Sequence, residues 1–153
     1  MIKIYGGFLM SQIKMLSGRN FEKLLLDSGV EEFNGAQGRI LYVLWQENCL
    51  PIVEISKRTG LAKTTLTSML DRLEDKGLVI REYDKKDRRQ IRIVLTDKAK
   101  LLQDKYDEVS DAASEQFYKG FTDEEIIDFE SKLRRILKNV SDVGEKNNDK
   151  TCK

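Results

Sequence analysis

The sequence predicts a mainly α fold (α+β) in which one two-stranded hairpin interrupts a series of helices. Apolar residues recur every three to four positions over the predicted helices, which is the spacing of an amphipathic helix. Between Leu78 and Leu95 the spacing changes to two, as in strands with one buried face. Helix, turn, helix and hairpin follow one another in the order of a winged helix-turn-helix lobe, with further helices at both ends.

The N-terminal part of the chain predicts three helices. The first extends from about residue 7 to 27. Asn34 is a typical N-cap for the second, 35–47, whose nearly continuous apolar band predicts that it is buried. The third, 52–59, can begin at Pro51, since a proline in the first turn of a helix costs no hydrogen bond.

The next predicted helix, 63–76, has an apolar face and a polar face. The apolar face consists of Leu66, Met69, Leu70 and Leu73. The polar face consists of Lys63, Thr64, Thr65, Thr67, Ser68 and Arg72. Side chains of these types can reach base edges in a major groove of DNA, and an arginine can also meet a phosphate. Taken alone, the same positions would be read as ordinary solvated ones.

The hairpin that follows has a highly charged tip. Ile91, Ile93 and Leu95 share one side of its second strand, and we expect that side to face inward. The tip, 84–89, reads Asp-Lys-Lys-Asp-Arg-Arg and is too charged to pack, so it meets either solvent or an anion. Phosphate contacts or solvated charges are expected at Lys85, Lys86, Arg88 and Arg92. A polar helix and a basic hairpin at this spacing would straddle a major groove and the adjacent minor groove.

Two further helices are predicted after the hairpin. Thr96 is expected to cap a long helix that extends to about residue 119. Thr122 and Glu125 have the spacing of a capping box, which begins a last helix. Both helices carry apolar stripes that the winged-helix lobe cannot fully cover, so a partner is expected, the alternative being a monomer folded back on itself. From Ser141 onward the polar sequence predicts disorder.

Charge is unevenly distributed along the chain. The net charge is +1, yet eleven Lys and Arg stand against six Asp and Glu between Lys57 and Arg92. The rest of the chain is correspondingly acidic, so we expect attraction to DNA on one side only. The sequence contains no histidine, the commonest general base and metal ligand, and no phosphate-binding glycine loop. It therefore predicts no enzyme, no cofactor and no metal site.

The sequence also predicts a cytoplasmic protein without a membrane partner. No stretch approaches the roughly 20 apolar residues that span a bilayer, and the N-terminus lacks the features of a secretory signal. Cys49 could sense oxidants, but without a neighbouring histidine a small, semi-buried structural cysteine is the favoured interpretation. Cys152 lies in the expected disordered tail.

Several segments together resemble the MarR family of bacterial and archaeal transcription regulators. They are Gln37–Trp45, Leu73–Val79 and the pattern Asp87-x-Arg89 followed by Leu95-Thr96. The resemblance implies that the hairpin is the wing of the family. It also implies that Arg89 is the minor-groove arginine of this wing and that Asp87 holds Arg89 in place. An arginine oriented in this way loses less rotamer freedom when it enters a narrow groove.

The resemblance covers nearly the whole chain, with one departure. The family usually has Ser or Asp where Ala62 stands, so an N-cap oxygen worth about 1 kcal/mol is missing. In the family, the first, fifth and sixth helices of two subunits interlock in an obligate dimer. We therefore expect a single domain, 1–140, followed by a disordered tail, 141–153. Within that domain the DNA-binding lobe is 34–95 and the dimerisation helices are 7–28 and 96–140.

Many members of the family respond to small aromatic anions. A cavity for such an effector would be lined by the aromatic residues Phe21, Phe33, Tyr42, Trp45 and Tyr106, which the alternative interpretation assigns to the core. The resulting hypothesis is a homodimeric regulator, in the commoner case a repressor, that binds a pseudo-palindromic operator in double-stranded DNA. A small aromatic or anionic effector would release it. The rival hypothesis is a winged-helix protein-interaction module, whose basic hairpin meets an acidic protein.

Overall fold

The computed structural model describes the backbone of residues 1–150 and the side chains of residues 1–142. The chain divides after Ser114 into two compact units. The first unit contains α1 (Gly6–Asp27), α2 (Gly35–Gln46), β1 (Leu50–Pro51), α3 (Ile52–Thr59), α4 (Lys63–Asp75), β2 (Val79–Tyr83), β3 (Ile91–Leu95), α5 (Asp97–Leu101) and most of α6 (Gln103–Phe117). The second contains the end of α6 and α7 (Asp123–Lys150). No helix among the described residues is long and apolar enough to cross a membrane.

The predicted start of α2 is confirmed. The Asn34 side chain accepts a hydrogen bond from the Gln37 amide at 2.8 Å, and the Gln37 side chain accepts one from the Asn34 amide at 3.2 Å. This reciprocal capping box satisfies two of the donors that a helix start leaves free. It also buries Gln37, whose Oε1 receives a second hydrogen bond from Lys76 Nζ at 3.3 Å.

The core of the first unit lies between α2, α3, α4 and the sheet. The apolar faces predicted from the sequence form this core, although Met69 is only partly buried. Fully buried members from these elements are Ile40, Leu41, Leu44, Ile55, Leu66, Leu70, Leu73 and Ile93. Burial of the α4 leucines decides which side of that helix faces solvent.

The sheet has three antiparallel strands in the order β1-β3-β2, which corrects the predicted two-stranded hairpin. In β1, Leu50 pairs with Ile93 and Pro51 pairs with Arg92. Two residues are too few to show an alternating pattern, so this strand exists only through its pairing with β3. The inward side of β3 is as predicted, with Ile93 and Leu95 buried.

The helix after the hairpin is interrupted, whereas the sequence predicts one helix from Thr96 to about residue 119. The Thr96 cap is confirmed, since its hydroxyl accepts a hydrogen bond from the Ala99 amide at 3.3 Å. The break follows at Leu102, because the Trp45 indole donates a 3.0 Å hydrogen bond to the Ala99 carbonyl. The same carbonyl also accepts a 3.1 Å hydrogen bond from the Leu102 amide, three residues on, as in a 3₁₀ turn.

The last helix begins as predicted and ends later. The Thr122 hydroxyl accepts a hydrogen bond from the Glu125 amide at 3.2 Å. The helix continues to Lys150, whereas the sequence predicts disorder from Ser141 onward. No proline interrupts this polar stretch, and a helix that is already nucleated can be extended by weak formers. Residues 151–153, including Cys152, lie outside the described residues.

Candidate nucleic-acid interface

The buried leucines of α4 turn its polar residues toward solvent. All the side chains predicted to form its polar face are exposed: Lys63, Thr64, Thr65, Thr67, Ser68 and Arg72. The helix ends at Asp75 with Lys76 as its C-cap, and Gly77 follows with φ +72°, a conformation that glycine adopts without strain. At the other end Ala62 caps the helix without any side-chain hydrogen bond, as its sequence predicts.

The predicted polar residues of α4, together with the half-buried Met69, form two groups. One lines an open hollow of about 420 Å³ and consists of Thr64, Thr65, Ser68, Met69 and Arg72. Lys63 and Thr67 lie on the other flank, since successive residues turn by roughly 100° around a helix. There the Thr67 hydroxyl donates to the Lys63 carbonyl at 2.8 Å, so its proton is used within the helix. The structure therefore assigns the predicted side chains to two flanks.

Arg81 connects α4 to β2, a link that sequence reasoning missed. Its Nη2 lies 2.7 Å from Asp71 Oδ1, and its Nη1 lies 2.9 Å from Glu74 Oε2. Burial of Arg81 disfavours its charge, but the hydrogen bonds that its guanidinium donates to the two carboxylates outweigh that effect and raise the pKa of Arg81. The spacing of Asp71 and Glu74, three residues apart on one helix flank, is the sequence signal that could have revealed this link.

At the tip of the hairpin, Asp87 holds Arg89 at its base. One carboxylate oxygen of Asp87 accepts a 3.0 Å hydrogen bond from the Arg89 amide and lies 3.7 Å from Arg89 Nε. The Arg89 side chain is otherwise 95% exposed. Lys85, Lys86 and Arg88 are exposed beside it. The tip thus exposes cationic side chains to solvent, and a hydrogen bond fixes the backbone of one of these residues, Arg89.

Arg92 is not part of this exposed group. Its Nε donates to Asp84 Oδ2 at 2.5 Å, and its Nη1 donates to the Cys49 carbonyl at 2.9 Å. Asp84 also accepts hydrogen bonds from the amides of Lys86 and Asp87. The bond from Arg92, followed by these two amides, lowers the pKa of Asp84 to about 2.

The ion pairs of Arg81 and Arg92 occupy several acidic side chains of the lobe. Positive charge without an acidic partner therefore remains on its outer surface. Arg81 pairs with Asp71 and Glu74, and Arg92 pairs with Asp84. Among the side chains of residues 1–142, eight cations of the lobe 34–95 make no ion pair with an acidic group: Arg39, Lys57, Lys63, Arg72, Lys76, Lys85, Lys86 and Arg88. Such a surface attracts a polyanion.

The five aromatic residues named from the sequence meet around Tyr106. Its ring centroid lies between 5.1 and 6.0 Å from the rings of Trp45, Phe21, Phe33 and Tyr42. Burial raises the pKa of the Tyr106 phenol, and the positive charge of Arg39 acts in the opposite sense. The rings are therefore in mutual contact at the edge of the core, where Tyr42 remains 42% exposed.

Cys49 is exposed, which corrects the expectation of a semi-buried cysteine. It lies in the turn between α2 and β1 with φ +62°, in the left-handed region. The neighbouring Asn48 side chain accepts hydrogen bonds from the amides of Cys49 and Leu95. These hydrogen bonds fix the backbone of the turn, and in this conformation the Cys49 side chain is exposed to solvent.

Comparison with known proteins agrees with this geometry. The model of the MarR family matches residues 33–91. The solved structure of reduced AbfR bound to DNA is 32% identical, with a TM-score of 0.70 over 87% of this chain and 90% of that chain. The chain belongs to the MarR family. A MarR transcriptional regulator from Methanosarcina mazei Go1 has the same fold, with a TM-score of 0.81 and 23% identity over 92% of this chain and 99% of that one.

A curated relative agrees with the assignment to the MarR family. The HTH-type transcriptional regulator TtmR of Methylorubrum extorquens (strain PA1) is 42% identical over 90 residues. Those residues are 59% of this chain and 45% of TtmR, so the match spans less than half of that regulator. The predicted fold class and family are confirmed, apart from the additional strand β1.

Proposed function

We propose that this MarR-family chain is a sequence-specific DNA-binding transcriptional regulator. In this role α4 enters the major groove and Arg89 enters the adjacent minor groove. The observation that carries the proposal is the state of Arg89: Asp87 fixes its backbone while 95% of its side chain is exposed. A pre-oriented cation at a loop tip is suited to a narrow groove of strongly negative potential. AbfR, at 32% identity, is DNA-bound in its solved structure, which supports the same use here.

Base reading is assigned to one flank of α4. Thr64, Thr65, Ser68 and Arg72 offer donors and acceptors around one hollow. Lys85, Lys86 and Arg88 are assigned to phosphates, as is Lys63 at the helix start. Each phosphate contact adds about 0.9 to the slope of log affinity against log salt.

The proposed assembly is a homodimer on a pseudo-palindromic operator. In α1 an apolar group is exposed: Phe8, Leu9, Met10, Ile13, Met15 and Leu16. The second unit likewise exposes Ile127, Leu137 and Val140 on α7. Clusters of exposed apolar side chains of this kind mark interaction sites, and for each of the two the occupant proposed is a second copy of the chain. Two copies would place two α4 helices in successive major grooves, with half-sites about one helical turn apart.

Sedimentation tests the dimer. The chain has a mass of 17.7 kDa, and the wild-type protein is expected to sediment at twice that mass. Phe8→Glu should shift the protein toward the monomer, because it places a charge in the interface. Tyr83→Glu alters an equally exposed aromatic on β2 and should leave the dimer intact. Monomeric wild-type protein at micromolar concentration would contradict the assembly.

Release from DNA is assigned to a small aromatic anion that binds at the Tyr106 cluster, and repression is the form of regulation proposed. Tyr42, 42% exposed at the edge of the cluster, supplies stacking surface, and the charge of Arg39 acts on Tyr106. Trp45 is the only tryptophan, so its fluorescence reports directly on this cluster. Benzoate should change that fluorescence saturably, and Arg39→Gln should abolish the change while Arg19→Gln should not. Absence of a saturable change in the wild-type protein would sink this assignment.

A pair of neighbouring arginines tests DNA binding itself. Arg89→Ala should reduce affinity for the operator by roughly 10- to 100-fold, on the scale of a specific contact. Arg88→Ala removes the same charge one residue away and should cost only the loss of one phosphate contact. Equal effects of both variants would remove the special role of Arg89. Tight binding to an acidic protein, with none to DNA, would favour the interaction-module hypothesis.

A further inference from the structure

We infer that Arg92 and Asp84 form a clasp that positions the wing, and that Arg92 does not contact phosphate. The inference rests on the proposed DNA-binding function. It concerns the half-buried pair beneath the wing tip, where Asp84 has only 12% and Arg92 34% of its side chain exposed. The exposed cations above this pair are assigned to DNA.

Asp84 organises the turn of the wing. Its carboxylate accepts hydrogen bonds from the amides of Lys86 at 2.8 Å and Asp87 at 3.2 Å. Its own amide donates to the Gln90 carbonyl at 2.9 Å, which closes the loop. Asp87 in turn holds Arg89. The conformation that presents Arg89 is therefore built on the Asp84 carboxylate.

Arg92 fixes this turn to the body of the lobe. Its guanidinium reaches Asp84 on one side and the Cys49 carbonyl on the other. Cys49 belongs to the turn between α2 and β1, which the Asn48 side chain also ties to the Leu95 amide. Arg92 lies in the central strand of the sheet, paired with Pro51 in β1 and Glu82 in β2. One side chain thus joins two loops at opposite edges of the sheet.

The chemistry of the clasp requires a guanidinium. Its nitrogens form a rigid, planar fork, so it can donate to two acceptors in fixed directions. A lysine ammonium carries the same charge but is a compact point without that fork. With two of its nitrogens engaged by Asp84 and Cys49, Arg92 is not free to lie against a phosphate. The two roles therefore predict different results for conservative variants.

Affinity for the operator distinguishes the two possible roles of Arg92, because they predict opposite changes in affinity for Asp84→Asn. If Arg92 binds phosphate, Arg92→Lys should be tolerated, and Asp84→Asn should strengthen binding by removing a negative charge near DNA. The clasp predicts that both variants weaken binding by on the order of tenfold, the scale of one charge-assisted hydrogen bond. The double variant should be no weaker than either single variant, because the two residues act through one contact. Glu82→Gln neutralises an exposed acid on the same hairpin and is the control, expected at wild-type affinity or slightly above.

Limited trypsin digestion of the DNA-free protein tests separately whether the clasp holds the wing tip in place. The wing tip contains four cleavage sites, at Lys85, Lys86, Arg88 and Arg89. Asp84→Asn should be cut there several-fold faster than the wild-type protein, and Glu82→Gln should not. If Asp84→Asn is cleaved at the wild-type rate, or binds operator as well as the wild type, the clasp is overturned. Wild-type protein that fails to bind any DNA would instead overturn the proposed function, while digestion would still report on the clasp.

Discussion

The Thr96 hydroxyl donates a 2.6 Å hydrogen bond to the carbonyl of Gly77. The same oxygen accepts the Ala99 amide and so caps α5, while the Thr96 amide donates to the Leu78 carbonyl. One residue therefore ties the turn at the end of α4 to the end of the hairpin. This geometry explains why a threonine follows Leu95 in the sequence pattern that resembles the family.

Removing that hydroxyl should destabilise the lobe. Thr96→Ala loses a cap and a hydrogen bond to Gly77, so the free energy of unfolding should fall by roughly 2 kcal/mol. Thr96→Ser keeps both bonds and should remain within about 0.5 kcal/mol of the wild type. Urea denaturation followed by circular dichroism measures both changes. A serine variant as unstable as the alanine variant would show that the methyl group, and not the hydroxyl, matters.

Gly38 is expected to be intolerant of a side chain. A Cβ at this position would lie 2.8 Å from Tyr106 Cε2 and 3.1 Å from Phe33 Cε2. Gly38→Ala should therefore destabilise the protein by about 1–3 kcal/mol, despite the better helix propensity of alanine. Gly18 lies within α1 with nothing within 4 Å, so Gly18→Ala is the control and should raise stability by about 0.5–1 kcal/mol. Thermal denaturation of the two variants should move in opposite directions.

The missing cap of α4 can be restored. Ala62 has φ −63° and ψ 147°, the extended conformation of an N-cap, but no side-chain oxygen. Ala62→Ser should add about 1 kcal/mol to the free energy of unfolding. Chemical denaturation tests this directly, with Ala36→Ser in the first turn of α2 as a control that offers no cap. An Ala62→Ser protein no more stable than the wild type would mean that the serine does not bond the helix start.

The clasp should also show in the pH dependence of stability. The pKa of Asp84 is lowered from 3.8 to about 2 by its hydrogen bonds to Arg92 and to two amides. A lowered pKa means that the stabilisation is present above the ordinary value and is lost as the pH falls through the folded-state value. The stability difference between wild type and Asp84→Asn should be full at about pH 6 and should shrink between about pH 4 and pH 2. A difference that stays constant over this range would contradict the pairing.

Local chemistry made much of the fold predictable. The caps at Asn34 and Thr96 and the buried face of α4 depend on residues a few positions apart, which a sequence displays directly. Strand β1 and the break at Leu102 could not be read in this way. The break depends on a bond from Trp45 to Ala99, 54 residues later. Only the folded chain brings such partners together.

At the candidate site, too, contacts between residues close in sequence were predictable, whereas contacts between distant residues were not. Asp87 and Arg89 are two positions apart, and the Asp87 carboxylate accepts a hydrogen bond from the Arg89 amide. Arg92 is the same residue type in the same charged segment, so its sequence context predicted a phosphate contact or a solvated charge. Its actual partners, Asp84 and the Cys49 carbonyl, lie across a loop and 43 residues away. Which cations are exposed and which are paired is thus a property of tertiary structure.

Binding of the wild-type protein to a fluorescent duplex from upstream of its own gene tests the central claim most directly. Affinity should be measured against KCl concentration, with a shuffled duplex of equal composition as the control. The account predicts a preference for the native sequence of at least about 1,000-fold, together with a steep loss of affinity as salt rises. Weak binding that is equal on both duplexes would contradict it.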